Sequence, residues 1–274
     1  MSLRLAVSGA TGRMGHTILE LAHHDSQFEI VGALENSAHS AVGKPLSDVL
    51  PSLGPKHKLP VVSVLPKISP KPQVLIDFTQ PEATMGYLRE ALSEGIGMVI
   101  GTTGCSEEEK KQIRDASQKI PIMMASNMSV GMNLLFALVE EAAAKLGPAY
   151  DVEITEAHHN LKKDAPSGSA LSLGEAVARA WKADLKKVST HGRVGKTGER
   201  VKGTIGFHAL RGGDIVGDHT VLYAGPGERL ELTHRAHSRE AFAQGALKAA
   251  LFLGGKKNGF YDMMDVLGLR PASK

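Results

Sequence analysis

The chain has 274 residues, 42% apolar and 22% charged, with a formal net charge of +3 at pH 7. That length holds two modest domains or one large one, and the composition is that of a globular protein with a buried core. The weak positive balance and 4% aromatic content exclude a nucleic-acid partner held by phosphate neutralisation or base stacking, and leave small anionic metabolites as the partner class.

Leu3 to Val7 is a short apolar run ending in SGATGRMG, after which Ile18, Leu19, Leu21 and Ala22 follow helical spacing. FEIVGALE, ending at Glu35, reads as a second strand. A Pro-, Ser- and Lys-rich region follows, with a short strand near Leu59–Val64. VLIDFT is a buried-type strand, and PEATMGYLREALSEG is a helix with Pro81 near its start. GMVIGTTG repeats the strand-then-glycine-turn arrangement, and Ser106 to Glu109 spell a capping box. IPIMMAS is another strand, and Ser129 opens a long helix. Strands alternating with helices predict a doubly wound parallel sheet covered on both faces, an α/β domain.

The pattern changes after Gly147. DVEITEAHH alternates like a strand, a helix spans Ser167 to Trp181, and a polar, Gly-rich loop runs to about Gly203. TIGFHAL, IVGDHTVLYAG and RLELTHRAH then follow as strands without intervening helices, which predicts an antiparallel sheet. REAFAQGALKAALFLGG is a last helix, and FYDMMDVLGL an apolar tail. The single cysteine, Cys105, permits no internal disulfide, and no apolar run approaches the ~18 residues of a membrane span. The opening MSLRLAVSG lacks a signal-peptide layout, so a cytoplasmic protein without a membrane partner is expected.

SGATGRMG carries Gly9, Gly12 and Gly15 between a strand and a helix. Glycines there allow a tight turn and close backbone approach, and the helix N-terminus offers free N–H groups to a pyrophosphate. Glu35 ends the next strand about twenty residues on, where an acid accepts ribose hydroxyl bonds. The plain alternative is a structural turn with a solvated acid. Asn36 and Ser37 follow Glu35, so no arginine stands there for a 2′-phosphate, although Arg13 lies in the turn. NADH or NADPH is the expected cofactor. GTTG, from Gly101 to Gly104, and ASNM, from Ala125 to Met128, end further strands and are placed to line the nicotinamide end.

EAHHNLKKDAPSGSA, residues 156–170, gathers titratable groups beside a helix start. Only one of His158 and His159 can face a given point from a continuing strand. Lys162 follows within reach, and Ser167, Gly168 and Ser169 offer a hydroxyl cap and free N–H groups to a carboxylate. The stretch predicts a pocket for a small dicarboxylate. A surface histidine pair and a simple helix cap are the plain alternatives. With neither an H-E-x-x-H helix nor a cysteine cluster, no metal is expected. Cys105 before the Ser106 cap raises one more reading, a thioester-forming semialdehyde dehydrogenase. A nonenzymatic nicotinamide-nucleotide-binding regulator is a further alternative.

SGATGRMG, FTQPEAT, GTTG, NMSVGMN, EAHHNLKKDAPSGSA, LRGGDIVGDHTV, HRAHSREAFAQGA and YDMMDVLGL together resemble the bacterial 4-hydroxy-tetrahydrodipicolinate reductase (dihydrodipicolinate reductase) family over nearly the whole chain. The resemblance implies an NAD(P)H-dependent oxidoreductase of diaminopimelate and lysine biosynthesis. It implies a Rossmann-type domain from residues 1–129 and 240–274, and a central α+β domain, residues 130–239, with a mainly antiparallel or mixed sheet that binds substrate and assembles a homotetramer. His158 would be the catalytic acid/base and Lys162 the proton donor. His159, Lys162, Gly168 and Ser169 would bind the substrate carboxylates. Cofactor contacts would fall at Gly9, Ala10, Thr11, Gly12, Arg13 and Met14, at Glu35, at Gly101, Thr102 and Thr103, and at Ala125, Ser126, Asn127 and Met128. Asn36 stands where many relatives carry arginine, Met128 where an aromatic is common, and Ser169 where threonine is usual.

Overall fold

The computed structural model describes residues 2–270; Met1 and residues 271–274, which the expected domain boundaries take in, lie outside the described residues. The chain forms two compact units, one from the segment up to Val130 with the segment from Arg239 onward, the other from Gly131–Ser238.

The first unit begins with β1 (Leu3–Ser8), α1 (Arg13–His23), β2 (Phe28–Leu34), the one-turn helix α2 (Leu46–Val49) and β3 (Val61–Val62). It continues through β4 (Val74–Asp77), α3 (Pro81–Glu94), β5 (Gly97–Ile100), α4 (Glu107–Ala116) and β6 (Pro121–Met124). From the division at Val130 follow α5 (Val130–Leu146), β7 (Asp151–His158), α6 (Gly168–Ala180), α7 (Leu185–Val188), β8 (Ser189–His191), β9 (Ile205–Arg211), β10 (Gly217–Gly225) and β11 (Glu228–Ala236). The chain returns to the first unit with α8 (Glu240–Gly254), β12 (Gly259–Tyr261) and α9 (Met263–Val266).

In the first unit seven parallel strands run in the order β12-β6-β5-β4-β1-β2-β3. β4 and β5 are buried at every position, which is why they read as unbroken apolar runs rather than alternating ones. Ile18 and Leu19 of α1 and Ala246 and Leu253 of α8 cover one face with Leu5, Val7 and Ile76. Leu88 of α3 and Ile113 of α4 cover the other with Leu75 and Met98. The helix ends follow their sequence signals: Pro81 opens α3, Gly95 closes it at φ 66°, and Ser106 and Glu109 form the reciprocal capping box of α4. Strand order reverses beside β1, the place where open sheets leave a crevice beyond their strand ends.

Two short strands lie where the sequence predicts none. The apolar tail contributes β12, which pairs parallel with β6 and extends the sheet edge. The polar loop after α6 contains β8. In the second unit the order is β11-β10-β7-β9-β8, a mixed sheet. β10 is antiparallel to β11 and β7, but β9 runs parallel to β7 and β8 parallel to β9. The expected run of three antiparallel neighbours is therefore corrected. The reason is α6: a helical crossover brings the chain back in its original direction, so the next strands add in parallel.

One face of this sheet is packed with Val152, Ile154, Phe207, Val221 and Tyr223 against Met132, Val139, Leu173 and Val177 of α5 and α6. On the opposite face Glu153 collects charge. Its carboxylate accepts from Arg193 at 2.9 and 3.0 Å, from Arg200 at 2.9 Å and from His208 at 2.7 Å. Gly206 lies on the neighbouring strand because a Cβ there would overlap that carboxylate. Arg200 also bonds Asp151 and the Val152 and Thr204 carbonyls, so the glycine-rich loop is fastened to β7. Burial opposes the charge on Glu153, but the hydrogen bonds from Arg193, His208 and Arg200 outweigh it and hold the carboxyl down to about 2. A depressed acid contributes stability in full above its ordinary value of 4.5 and loses it as pH falls through about 2. Glu153→Gln is expected to flatten the loss of melting temperature between pH 4.5 and about 2, followed by circular dichroism; an unaltered acid limb would remove this role.

Candidate active site

The glycine turn follows from β1. Gly9 adopts φ 65°, a conformation that favours glycine, and a Cβ on Gly15 would overlap the Gly9 carbonyl oxygen. Gly12 precedes the first residue of α1, Arg13, with Met14 next. Glu35 closes on this turn from the end of β2. Its Oε1 accepts from the Thr11 backbone N–H at 2.8 Å and from the Thr11 hydroxyl at 2.7 Å. Ala10 is buried, and its backbone N–H donates to the Leu34 carbonyl at 3.1 Å. A cleft of about 780 Å³ runs past Gly9, Thr11, Gly12, Glu35, Asn36 and Tyr87.

The floor beside this cleft rests on a buried acid that sequence reasoning missed. Asp77, at the end of β4, accepts hydrogen bonds from the hydroxyls of Ser8 at 2.5 Å, Thr79 at 2.8 Å, Thr84 at 2.5 Å and Thr102 at 3.0 Å. The Thr102 hydroxyl also accepts from the Thr79 N–H, so this side chain is committed to holding two strand ends together. Gly101 lies flat against the Phe78 ring, where a Cβ has no room, and Thr103 is exposed. After β6, Ala125 and Asn127 are half-buried and Ser126 is exposed, while Met128 is in the apolar core. The Gly101–Thr103 and Ala125–Met128 turns do not line the cleft, although they end neighbouring strands.

In the second unit, the packed face of the sheet changes character along its length. β7 presents Val152 and Ile154, then Glu156 and His158, because residues two apart share a face. Glu156 is 1% exposed. Arg211, paired with His158 across β9, grips both Glu156 oxygens with N–H donors at 2.7 and 2.8 Å. His158 Nδ1 lies 2.6 Å from Glu156 Oε2, and the Ser167 backbone N–H donates to Oε1 at 3.1 Å. Burial opposes the Glu156 charge, yet Arg211, His158 and the Ser167 N–H bring its pKa below the ordinary value. Burial lowers that of His158; the Glu156 carboxylate pulls it back up, and the charges of Lys162 and Arg211 add to the lowering.

The other predicted residues gather around this carboxylate or continue from it. Ser167 caps α6, its hydroxyl accepting from the Ala170 N–H at 3.2 Å, and lies 3.1 Å from His219 Nε2. His219 is 4% exposed, and burial, reinforced by the charge of His158, holds its pKa down to about 4. Gly168 and Ser169 form the first turn of α6. His159 leaves the strand: its N–H donates to the Ile215 carbonyl at 2.8 Å, and its Nδ1 is buried with no hydrogen-bond partner among the described residues. The Lys162 ammonium donates to Asp164 at 2.8 and 3.0 Å, and Arg211 donates to the Asp164 carbonyl at 2.7 Å.

Residues 3–128 match the family model described as dihydrodipicolinate reductase, N-terminus, and residues 131–267 the one described as dihydrodipicolinate reductase, C-terminus. The chain belongs to the dihydrodipicolinate reductase family. The 4-hydroxy-tetrahydrodipicolinate reductase of Thiobacillus denitrificans is 50% identical over 270 residues, covering 98% of this chain and 100% of the relative. That of Nitrosomonas europaea is 50% identical over 268 residues, covering 98% and 99%. A dipicolinate-bound dihydrodipicolinate reductase from Paenisporosarcina sp. TG-14 superposes with a TM-score of 0.77 at 25% identity, covering 97% of this chain and 99% of that one. The chain is thus an enzyme, an oxidoreductase with a Rossmann-type parallel sheet and a second, mixed sheet.

Cys105 is 6% exposed, and burial, with Glu109 and Asp77 nearby, raises its pKa, the reverse of what a thioester nucleophile needs. Glu156 lies in the 156–170 stretch, and its i, i+2 relation to His158 is its signal in the sequence; Arg211, 55 residues away, has none without the register of β9. Glu35→Ala releases Thr11 and removes an acceptor from the cleft. It is expected to weaken NADH binding at least tenfold, about 1.4 kcal/mol, in a fluorescence titration. Unchanged affinity would show that the turn holds the nucleotide without its acid.

Proposed function

We propose that this chain reduces 4-hydroxy-tetrahydrodipicolinate to tetrahydrodipicolinate with NADH or NADPH, in diaminopimelate and lysine biosynthesis. As a family member it is an NAD(P)H-dependent oxidoreductase. The observation that carries the reading is the titratable cluster itself: His158 on a buried carboxylate, beside a capped helix start and next to a lysine loop. Half-identity to reductases over the whole length supports the same substrate. Residues 1–129 and 240–274 would bind the dinucleotide through Gly9–Met14 and Glu35, with Gly101–Thr103 and Ala125–Met128 toward its nicotinamide. Residues 130–239 would bind the diacid and assemble a homotetramer. The sheet face away from α5 and α6 supports that assembly, since it leaves Leu210 51% exposed. No helix among the described residues is long and apolar enough to cross a membrane, and we place the reaction in the cytoplasm.

The substrate is a cyclic diacid that loses water to give a conjugated imine. When bound, the reduced nicotinamide supplies a hydride to that ring. Negative charge then moves toward the ring nitrogen, and the chain must neutralise it and deliver a proton. The carboxylates fit the positive end of α6 at Gly168 and Ser169, with His159 and the Lys162 ammonium alongside. Lys162 stabilises the developing charge and gives the proton; His158, neutral once its pKa is lowered, exchanges protons through the nitrogen not committed to Glu156.

The test is nicotinamide oxidation at 340 nm with the substrate generated in situ by its synthase. Turnover is expected with either cofactor, and pyridine-2,6-dicarboxylate is expected to compete with substrate, as its binding by a solved relative suggests. His158→Gln and Lys162→Met are each expected to lower kcat about 10²–10⁴-fold while NADH still binds. Wild-type kcat in both variants would refute the roles, and absence of turnover in the native enzyme would refute the function.

A further inference from the structure

Resting on the reading that His158 exchanges a proton with the substrate, we infer that Glu156, clamped by Arg211, is the positioning residue that decides which nitrogen of His158 faces the chemistry. Glu156 is 1% exposed, and its oxygens have donors around them: two N–H groups of Arg211, the Ser167 N–H and His158 Nδ1. An ionised carboxylate has no proton to give, so the 2.6 Å contact requires Nδ1 to carry the hydrogen. Nε2 is then the nitrogen left to exchange. The strand beside it keeps that nitrogen clear. Gly217 of β10 carries no side chain, and a Cβ there would stand only 3.1 Å from His158 Nε2. Acceptor demand at Nδ1 thus selects the tautomer, and the glycine leaves its open nitrogen room.

Arg211 makes this selection rigid. Its bidentate grip leaves the carboxylate one orientation, and its further bond to the Asp164 carbonyl ties that orientation to the loop whose Asp164 side chain holds Lys162. The Ser167 N–H ties it to the cap of α6. One carboxylate therefore sets the imidazole, the lysine loop and the helix start in a common frame. A neutral amide of the same shape cannot replace it. Gln at this position would set its NH₂ against an Arg211 N–H in either orientation, together with the Ser167 N–H in one and with His158 in the other, and the second moves the ring proton to Nε2.

The experiment compares the full-length native enzyme with Glu156→Gln, using histidine labelled with ¹⁵N and His158 assigned by its loss from the spectrum of His158→Gln. Native His158 is expected to show a protonated Nδ1 and an unprotonated Nε2 above its titration; Glu156→Gln is expected to reverse or mix the two. The pH–rate limb that belongs to His158 is expected to move to lower pH, because the carboxylate that draws its pKa up is gone. kcat is expected to fall about 10²-fold with the KM for the diacid changed far less. NADH binding and the thermal melt report folding. Should Glu156→Gln fail to fold, Arg211→Lys leaves the carboxylate and loosens the guanidinium that opposes the His158 charge, and is expected to move the limb the opposite way, to higher pH. A native tautomer and an unmoved limb in the folded variant would overturn the inference whatever the rate. A native enzyme that does not turn over 4-hydroxy-tetrahydrodipicolinate, but whose tautomer follows Glu156, would overturn the substrate reading and leave this one standing.

Discussion

A carboxylate sealed from water is stable only if protein donors replace the water it lost, and two such acids organise this molecule. Asp77 does so with four neutral hydroxyls, from Ser8, Thr79, Thr84 and Thr102. Glu156 does so with a guanidinium, an imidazole and a backbone N–H. The difference in donors is a difference in use. Hydroxyls hold Asp77 in place without adding a charge that titrates, and they tie together the ends of β1, β4 and β5. A cation and an imidazole around Glu156 make its neighbourhood responsive to protons. Removing the carboxylate from either knot leaves its donors without their shared acceptor.

The second sheet shows how one surface serves as core and as site. Along its packed face β7 passes from Val152 and Ile154 to Glu156 and His158, β10 from Tyr223 and Val221 to His219 and Gly217, and β9 from Ile205 and Phe207 to Arg211. The apolar half is covered by α5 and α6, and the first turn of α6 reaches the polar half through Ser167. Strands thus carry most of the groups proposed to handle protons, with the loop supplying Lys162. Placing such groups on regular elements holds their geometry more closely than a loop would.

What the sequence made legible was local. The glycine turn, Glu35, the Ser106 box and the Ser167 cap each lie within a few residues of what they satisfy, or at a spacing fixed by one strand and one helix. What it concealed was pairing. β9 reads like a member of an antiparallel series until α6 is seen to be a crossover, and β12 is too short to declare itself until β6 offers an edge. Arg211 is one arginine among many until the register sets it opposite His158. His158 and His159 illustrate both cases: alternation predicts that they part company, but only the fold shows that His158 stays over Glu156 while His159 turns toward Ile215.

The proposed reaction gives these electrostatics a direction. Without substrate, burial and the charges of Lys162 and Arg211 keep the His158 imidazole below its ordinary pKa, against the pull of Glu156. Lys162 spends its charge on Asp164. A diacid arriving at the start of α6 would bring two negative charges into this low-dielectric region. Opposite charge nearby favours the protonated form of an imidazole, so binding would draw its pKa upward. The same charges would compete with Asp164 for the Lys162 ammonium. Substrate binding would therefore change the protonation and hydrogen bonding of both residues in the sense that proton delivery requires. The cluster would be poised for transfer with the diacid present and quiet without it.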